Sequence, residues 1–214
     1  MHALVRRVRS LRPDVRVETG FLDFNIPSVQ GVLESLAAEG VRDVVALPLL
    51  LTRAFHAKSD IPAVLRDAPP QLRIRQAEVL GPSPRLLAAL ERRLYEAGLR
   101  PQDKSSTGVV LASAGSTDPE AIAVISGVAR EWERSGWGAV RVAFASATLP
   151  RTEDAVRELR ELGWGRVAVA PYVLAPGFLP DRIARGAVEA GADGLAGVLG
   201  ASVEVGGVVL GRYA

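Results

Sequence analysis

The chain is expected to be an α/β protein of two similar lobes, each a doubly wound parallel sheet of about four strands with helices on both faces. Three observations lead there. Strand-like and helix-like segments alternate along the 214 residues, the alternation restarts near the middle, and two of the strand-like runs are apolar throughout, as in strands covered on both faces.

Taken in order, Val15–Phe21 reads as a strand, and Val29–Ala38 has helical apolar spacing that stops at Gly40. Val41–Leu51 is a buried strand with no helical punctuation, Ser59–Arg66 opens a helix, Leu72–Val79 is a strand, and Ser83–Ala97 is a strongly periodic helix. Pro101 to Thr107 is a polar linker. The pattern then restarts with Gly108–Ser113 as a strand, Asp118–Ser135 as a helix and Ala139–Ala145 as a strand. Glu153–Leu162 is a helix stopped by Gly163, and Val167–Leu174 is a second buried strand. Helices between parallel strands, on both faces of each sheet, make the lobes flavodoxin-like.

The restart is an internal repeat. Leu36 to Pro48 lies over Leu159 to Pro171, with Gly40 and Gly163 separated by 123 positions, as are Pro48 and Pro171, and Phe55 and Phe178. Val15-Arg16-Val17 matches Val140-Arg141-Val142 at a step of 125. Val79-Leu80-Gly81 precedes a helix reaching Arg93, and Val198-Leu199-Gly200 one reaching Arg212. Lobes divided as 1–103 and 104–214 and facing each other would form a cleft. At the 125 step Met1 falls on Ser126, inside a helix, so Val109 to Pro119 has no counterpart in the first half. The expectation is a further segment of roughly twenty residues upstream, because a neighbouring strand would otherwise be unpaired on one side.

Composition narrows the chemistry. Hydrophobic residues make up 48% of the chain, ample for a core, and there is no cysteine. That excludes disulfides, thiolate zinc sites, iron–sulfur clusters and a cysteine nucleophile. No apolar run approaches the roughly 20 residues of a membrane span. The N-terminal MHALVRRVRSLRPDV lacks the apolar core of a signal peptide, so a cytoplasmic location and no membrane partner are expected. A net charge of +2, a pI near 9.4 and only 5% aromatics argue against nucleic acid as a partner. No G-x-G-x-x-G or Walker sequence occurs, which gives no support to nucleotide-dependent chemistry.

The chemistry-bearing stretch runs from Pro48 to Pro62. A buried strand ends there in a loop carrying His56, one of two histidines in the chain, and open parallel sheets place ligands just past the carboxyl ends of their strands. An imidazole in that place can hold a divalent metal or take a proton; the ordinary alternative is a hydrogen-bonded loop histidine. Asp60, four residues on, either orients the imidazole or caps the helix before Ile61-Pro62. Asp23 ends the preceding strand at the same sheet edge, as a ligand-side carboxylate or a solvated turn residue. Arg53 and Lys58 flank His56 as clamps for an anionic ligand or as exposed cations. Gly115-Ser116-Thr117-Asp118-Pro119 is a helix cap or an anion cradle. Trp132, Trp137 and Trp164, near helix ends, read as packing residues.

These residues resemble the sirohydrochlorin chelatases, class II enzymes that insert cobalt or ferrous iron into a tetrapyrrole. The resemblance is carried by Phe21-Leu22-Asp23 with Pro27-Ser28, by Pro48-Leu49-Leu50-Leu51, by His56 with Asp60-Ile61-Pro62, and by Val79 to Leu87. It continues through Tyr172 to Phe178 and ends near Arg212-Tyr213, covering nearly the whole chain in the long two-repeat form. It implies an ATP-independent metal chelatase of sirohaem or cobalamin biosynthesis. His56 would be metal ligand and catalytic residue with Asp23 and Asp60, and Phe21, Thr52, Arg53 and Lys58 would bind the tetrapyrrole. It implies no tightly bound cofactor, since Co²⁺ or Fe²⁺ is a substrate, and a monomer suffices because both lobes lie in one chain. Family members typically carry a second histidine in a loop after the first strand. That loop belongs to the stretch without a counterpart here, and in the second half Ala114 stands in its place while Leu179 stands where His56 does. His2 is no substitute, its repeat partner lying within a helix. Two other readings remain open: a non-catalytic tetrapyrrole- or metal-binding protein of the same descent, and an α/β protein binding another small anion.

Overall fold

The computed structural model describes residues 2–23 and 25–214. The first lobe runs α1 (His2–Leu11), α2 (Val29–Ala38), β1 (Asp43–Ala46), a π-helical turn (His56–Asp60) continued by α3 (Ile61–Arg66), β2 (Arg73–Gln76) and α4 (Pro84–Glu96). A 3₁₀ turn, Pro101–Ser106, leads into the second: β3 (Thr107–Ser113), α5 (Pro119–Arg134), β4 (Ala139–Phe144), α6 (Thr152–Glu161), β5 (Arg166–Tyr172), α7 (Phe178–Glu189), β6 (Gly194–Leu195) and α8 (Val203–Tyr213). All paired strands are parallel, ordered β4-β3-β5-β6 in the second lobe and β1-β2 in the first. The α/β class and the two-lobe repeat are therefore as expected.

The repeat keeps one spacing. α1 and α5 end at Leu11 and Arg134, α2 and α6 start at Val29 and Thr152, and β1 and β5 start at Asp43 and Arg166, each pair 123 residues apart. A turn repeats at the same step: Phe21 N donates to Pro27 O at 3.0 Å, and Phe144 N to Pro150 O at 2.9 Å. This corrects the 125 step read from the Val-Arg-Val match. Val17 corresponds to Val140 and Phe21 to Phe144.

The first lobe departs from expectation in its sheet. Val15–Phe21 forms no strand; its one ladder contact is an isolated bridge between Phe21 and Ser28. Its counterpart β4 pairs only with β3, and among the described residues nothing occupies the place of β3 in the first lobe. A strand needs a neighbour to bond to; among the described residues this segment has none beyond that bridge and is otherwise unpaired. Of the roughly four strands expected in this lobe, two are paired. β1 also shows the effect. Val44, Val45, Ala46 and Leu47 are partly exposed, whereas their counterparts Val167, Ala168, Val169 and Ala170 are fully buried.

The two lobes meet through a shared core. α4 presents Leu86, Leu90 and Leu94 on one face, spaced by four residues and fully buried. It packs against β5 of the second lobe and against α8, while α8 crosses back to α1. Each lobe's last helix thus covers the other lobe, and one cluster joins Leu4, Val8 and Leu90 to Val109, Leu111 and Val205. Trp132 and Trp137 pack edge to face, 5.8 Å apart, in that core. Among the described residues no helix is long and apolar enough to cross a membrane.

Candidate functional site

Beyond β1 the apolar run Leu47–Leu51 continues to the sheet's carboxyl edge, held by Leu80 N donating to Leu50 O at 2.8 Å. His56 then sits not in an open loop but at the first residue of a π-helical turn. Pro62 has no N–H to donate to the helix ladder. The Ile61 N–H reaches back five residues to His56 O, which widens the turn.

This geometry brings Asp60 to the imidazole. Asp60 Oδ2 lies 2.6 Å from His56 Nδ1, and its side chain makes no capping bond to the following helix, so the cap reading is set aside. An ionised carboxylate only accepts hydrogen bonds. In the neutral imidazole Nδ1 therefore carries the proton, which leaves Nε2 its lone pair. The side chains of His56 and Asp60 are 61% and 37% exposed, leaving Nε2 open to an incoming ion. Phe55 packs edge to face on the ring, with centroids 6.2 Å apart.

His56, Phe21 and Asp23 line one groove of about 1180 Å³. Asp23 is exposed at the turn, where its carbonyl accepts from Asn25 N at 2.7 Å. Arg53 and Lys58 instead line a separate pocket of about 240 Å³ with Gln76 and Glu78, and half-buried Thr52 lines neither. The structure thus joins His56 with Asp60, Phe21 and Asp23, and sets Arg53, Lys58 and Thr52 apart from them. Among the described residues no group of three or more side chains is arranged to hold a metal.

Lys58 is already engaged. Its Nζ donates to Asp118 Oδ2 at 2.8 Å and to Glu120 Oε2 at 2.7 Å, bridging the two lobes. Lys58, which the sequence left as a clamp or an exposed cation, is a tether between the lobes in this structure. The Gly115–Pro119 stretch is likewise a cap: Asp118 Oδ1 accepts from Glu120 N at 2.9 Å. With two carboxylates facing Lys58, it is no anion cradle. Lys58 and then the cap bond hold the Asp118 carboxyl below its usual range. Such a carboxylate stabilises the fold above its unfolded-state pKa and loses that contribution as pH falls through the depressed folded value. Lys58→Met should therefore lower the urea midpoint at neutral pH. The gap from the parent chain should close as Asp118 protonates, followed by denaturation at a series of acidic pH values.

The second lobe lacks the dyad. At the 123 step Leu179 and Ile183 replace His56 and Asp60; Leu179 packs on the second lobe's core, and Ile183 is fully buried. What does repeat is an exposed phenyl ring, Phe55 at 66% and Phe178 at 69% exposure. Sequence reasoning did not count these rings as site residues. Their 123-residue correspondence was the available signal, and only the structure shows them uncovered.

A family model described as CbiX matches residues 1–97 and again residues 108–213. The chain is 30% identical to the sirohydrochlorin cobaltochelatase of Priestia megaterium over 174 residues, covering 79% of this chain and 57% of that protein. It is 29% identical to the sirohydrochlorin ferrochelatase of Bacillus subtilis (strain 168) over 172 residues, covering 78% of this chain and 65% of that one. The chain thus spans less than two thirds of the length of these curated relatives. Among solved structures, SirB from Bacillus subtilis with Fe³⁺ superposes with a TM-score of 0.84 at 25% identity, over 99% of this chain and 87% of that one. CbiX, described as the terminal enzyme of sirohaem biosynthesis in denitrifying bacteria, shares the fold, with a TM-score of 0.72 at 20% identity over 99% and 88% of the chains.

Proposed function

As the chain belongs to the CbiX family, whose model matches both of its lobes, we propose that it is a sirohydrochlorin chelatase, inserting Co²⁺ or Fe²⁺ into the macrocycle without ATP. The observation that carries this reading is the exposed His56–Asp60 pair at the carboxyl edge of β1. Asp60 holds Nδ1–H, and Nε2 offers one imidazole ligand of borderline softness. One ligand completed by water binds a metal loosely, as transfer rather than storage requires.

Insertion exchanges M²⁺ for the two pyrrole N–H protons. The ion moves from Nε2 to the macrocycle nitrogens; the vacated Nε2 accepts one proton and water the other. Asp23, which lines the same groove, is an additional acceptor on this reading. Phe55 and Phe178 offer apolar surface to the ring system, and Arg53, which lines the separate pocket with Lys58, is a partner for its carboxylates on this reading. The reaction belongs in the cytoplasm and feeds sirohaem or cobalamin.

The test is anaerobic mixing of the chain with sirohydrochlorin and Co²⁺ or Fe²⁺, with absorbance compared to a protein-free control. Acceleration that is indifferent to ATP is the expected result. A tetrapyrrole spectral shift without acceleration would assign a binding protein instead, a reading favoured by the absence of any three-ligand cluster among the described residues. Asp60→Asn should weaken metal binding by about 10–100-fold, read by Co²⁺ titration, with little change in the urea midpoint. An unchanged Co²⁺ affinity would remove Asp60 from the site.

A further inference from the structure

The turn that carries His56 departs from its repeat at three places. The two helices open alike: Lys58 N donates to Ala54 O, and Asp181 N, 123 residues on, to Gly177 O, both at 3.1 Å. α7 then stays α-helical from Phe178 to Glu189, whereas the first lobe widens into the π-helical turn His56–Asp60. Lys58, which reaches across to Asp118 and Glu120, has the exposed acid Asp181 as its counterpart. Gln76, the last residue of β2, donates through Nε2 to Ala57 O at 3.1 Å. It stands opposite Ala46 in the ladder as Leu195 stands opposite Val169, so its counterpart is an apolar side chain. The wide turn and both attachments thus occur in the lobe that has the His56–Asp60 pair, and not in the lobe that lacks it.

The two attachments hold residues 57 and 58, between the members of the pair. Ala57 is buried, with its carbonyl fixed from β2. Lys58 is fixed from the second lobe. Its main anchor is Asp118, 22% exposed; Glu120, at 79%, is screened by solvent and contributes less. Asp118 is itself immobilised. Its N donates to Ser116 Oγ at 3.0 Å, and its Oδ1 caps α5, a 16-residue helix that buries Ile125, Val128 and Trp132. π-helical turns are rare and lie frequently at functional sites. With His56 and Asp60 both exposed, the order of this turn has to come from its attachments.

We propose that Lys58 and Gln76 are positioning residues. With Asp118 as anchor, they hold the π-helical turn in the geometry in which Asp60 meets Nδ1 and Nε2 is left open. The second lobe, which has no such pair of its own, acts on the imidazole through this contact. As a role in metal delivery the proposal rests on the chelatase reading. As a role in fixing the imidazole it stands apart from that reading, and the test separates the two.

The chain has two histidines, so the His56 ring nitrogens can be followed by ¹⁵N NMR, assigned with His56→Ala, at a mildly alkaline pH where imidazole is neutral. The parent chain should show the Nδ1–H tautomer. Lys58→Met, and separately Asp118→Asn with Glu120→Gln, should erode that signature. Both should weaken Co²⁺ binding about tenfold, the low end of the range for partners outside the ligand shell. Asparagine caps a helix as well as aspartate does, so the second variant leaves α5 its cap. Lys58→Arg should retain both readouts. Combining the two sets should add little to either alone, because they break one tether. Should Lys58→Met unfold, Gln76→Leu, which places the second lobe's residue type there, should act in the same way. Lost urea stability with an unchanged tautomer and Co²⁺ affinity would overturn the proposal and leave Lys58 a purely structural tether. So would additive effects, or a parent chain without the Nδ1–H signature. A tautomer present in the parent and lost in the variants, in a chain that inserts no metal, would uphold the positioning and overturn the chelatase reading instead.

Discussion

Replacing His56 by alanine is expected to slow metal insertion by about 10²–10⁴-fold, the span of a lost proton acceptor placed at the reacting group. Loss of the metal ligand acts in the same direction. The fold should be indifferent, because the side chain is 61% exposed and, among the described residues, its polar contact is the bond to Asp60. The measurement is the anaerobic insertion rate with Co²⁺ and Fe²⁺ for the two proteins, with urea midpoints run in parallel. Equal rates would sink the proposed mechanism. A parallel loss of rate and stability would instead mark His56 as a structural residue.

Gly81→Ala should be damaging for a different reason. A methyl group there would come within 2.2 Å of the Leu51 carbonyl oxygen and 2.7 Å of the Tyr172 hydroxyl. The first clash is with backbone, which has no rotamer to yield, and the second is with a ring that is 1% exposed. Overpacking of this kind costs about 1–3 kcal/mol. Relief would push Leu51 outward and, with it, the run leading to His56, so insertion activity should fall along with stability. Gly98→Ala is the comparison. It has positive φ but nothing within 4 Å of the added methyl, so only the backbone strain of about 1 kcal/mol applies. Urea denaturation of both variants checks the ordering; a Gly81→Ala chain no less stable than Gly98→Ala would refute the packing argument.

Much of the architecture was legible because it rests on local patterns. Ser28 caps α2 by accepting from Gly31 N at 3.1 Å, and Gly40 takes the positive φ, 84°, that ends it. Both signals are written within a few residues. The repeat was equally visible, although a chance Val-Arg-Val match shifted its first part by two positions. Among site residues, the i, i+4 spacing of His56 and Asp60 placed them on one side of a turn, but sequence left capping and orienting equally open. The ion pairs of Lys58 were not legible because its partners, Asp118 and Glu120, lie 60 and 62 residues away, and spacing along one segment carries no information about them.

The amino-acid sequence by itself determined the α/β alternation, the two-fold repeat and the one strand end that carries an imidazole and a carboxylate. These follow from periodicity, capping and spacing, which act over a turn or a strand. Only the tertiary structure decided that Val15–Phe21 is unpaired, that α4 and α8 each cover the other lobe, and that Lys58 ties the lobes together. A strand exists only when a neighbour meets its hydrogen bonds, and a cation is free only when no carboxylate reaches it. Both depend on residues distant in sequence, brought near by the packing of the whole chain.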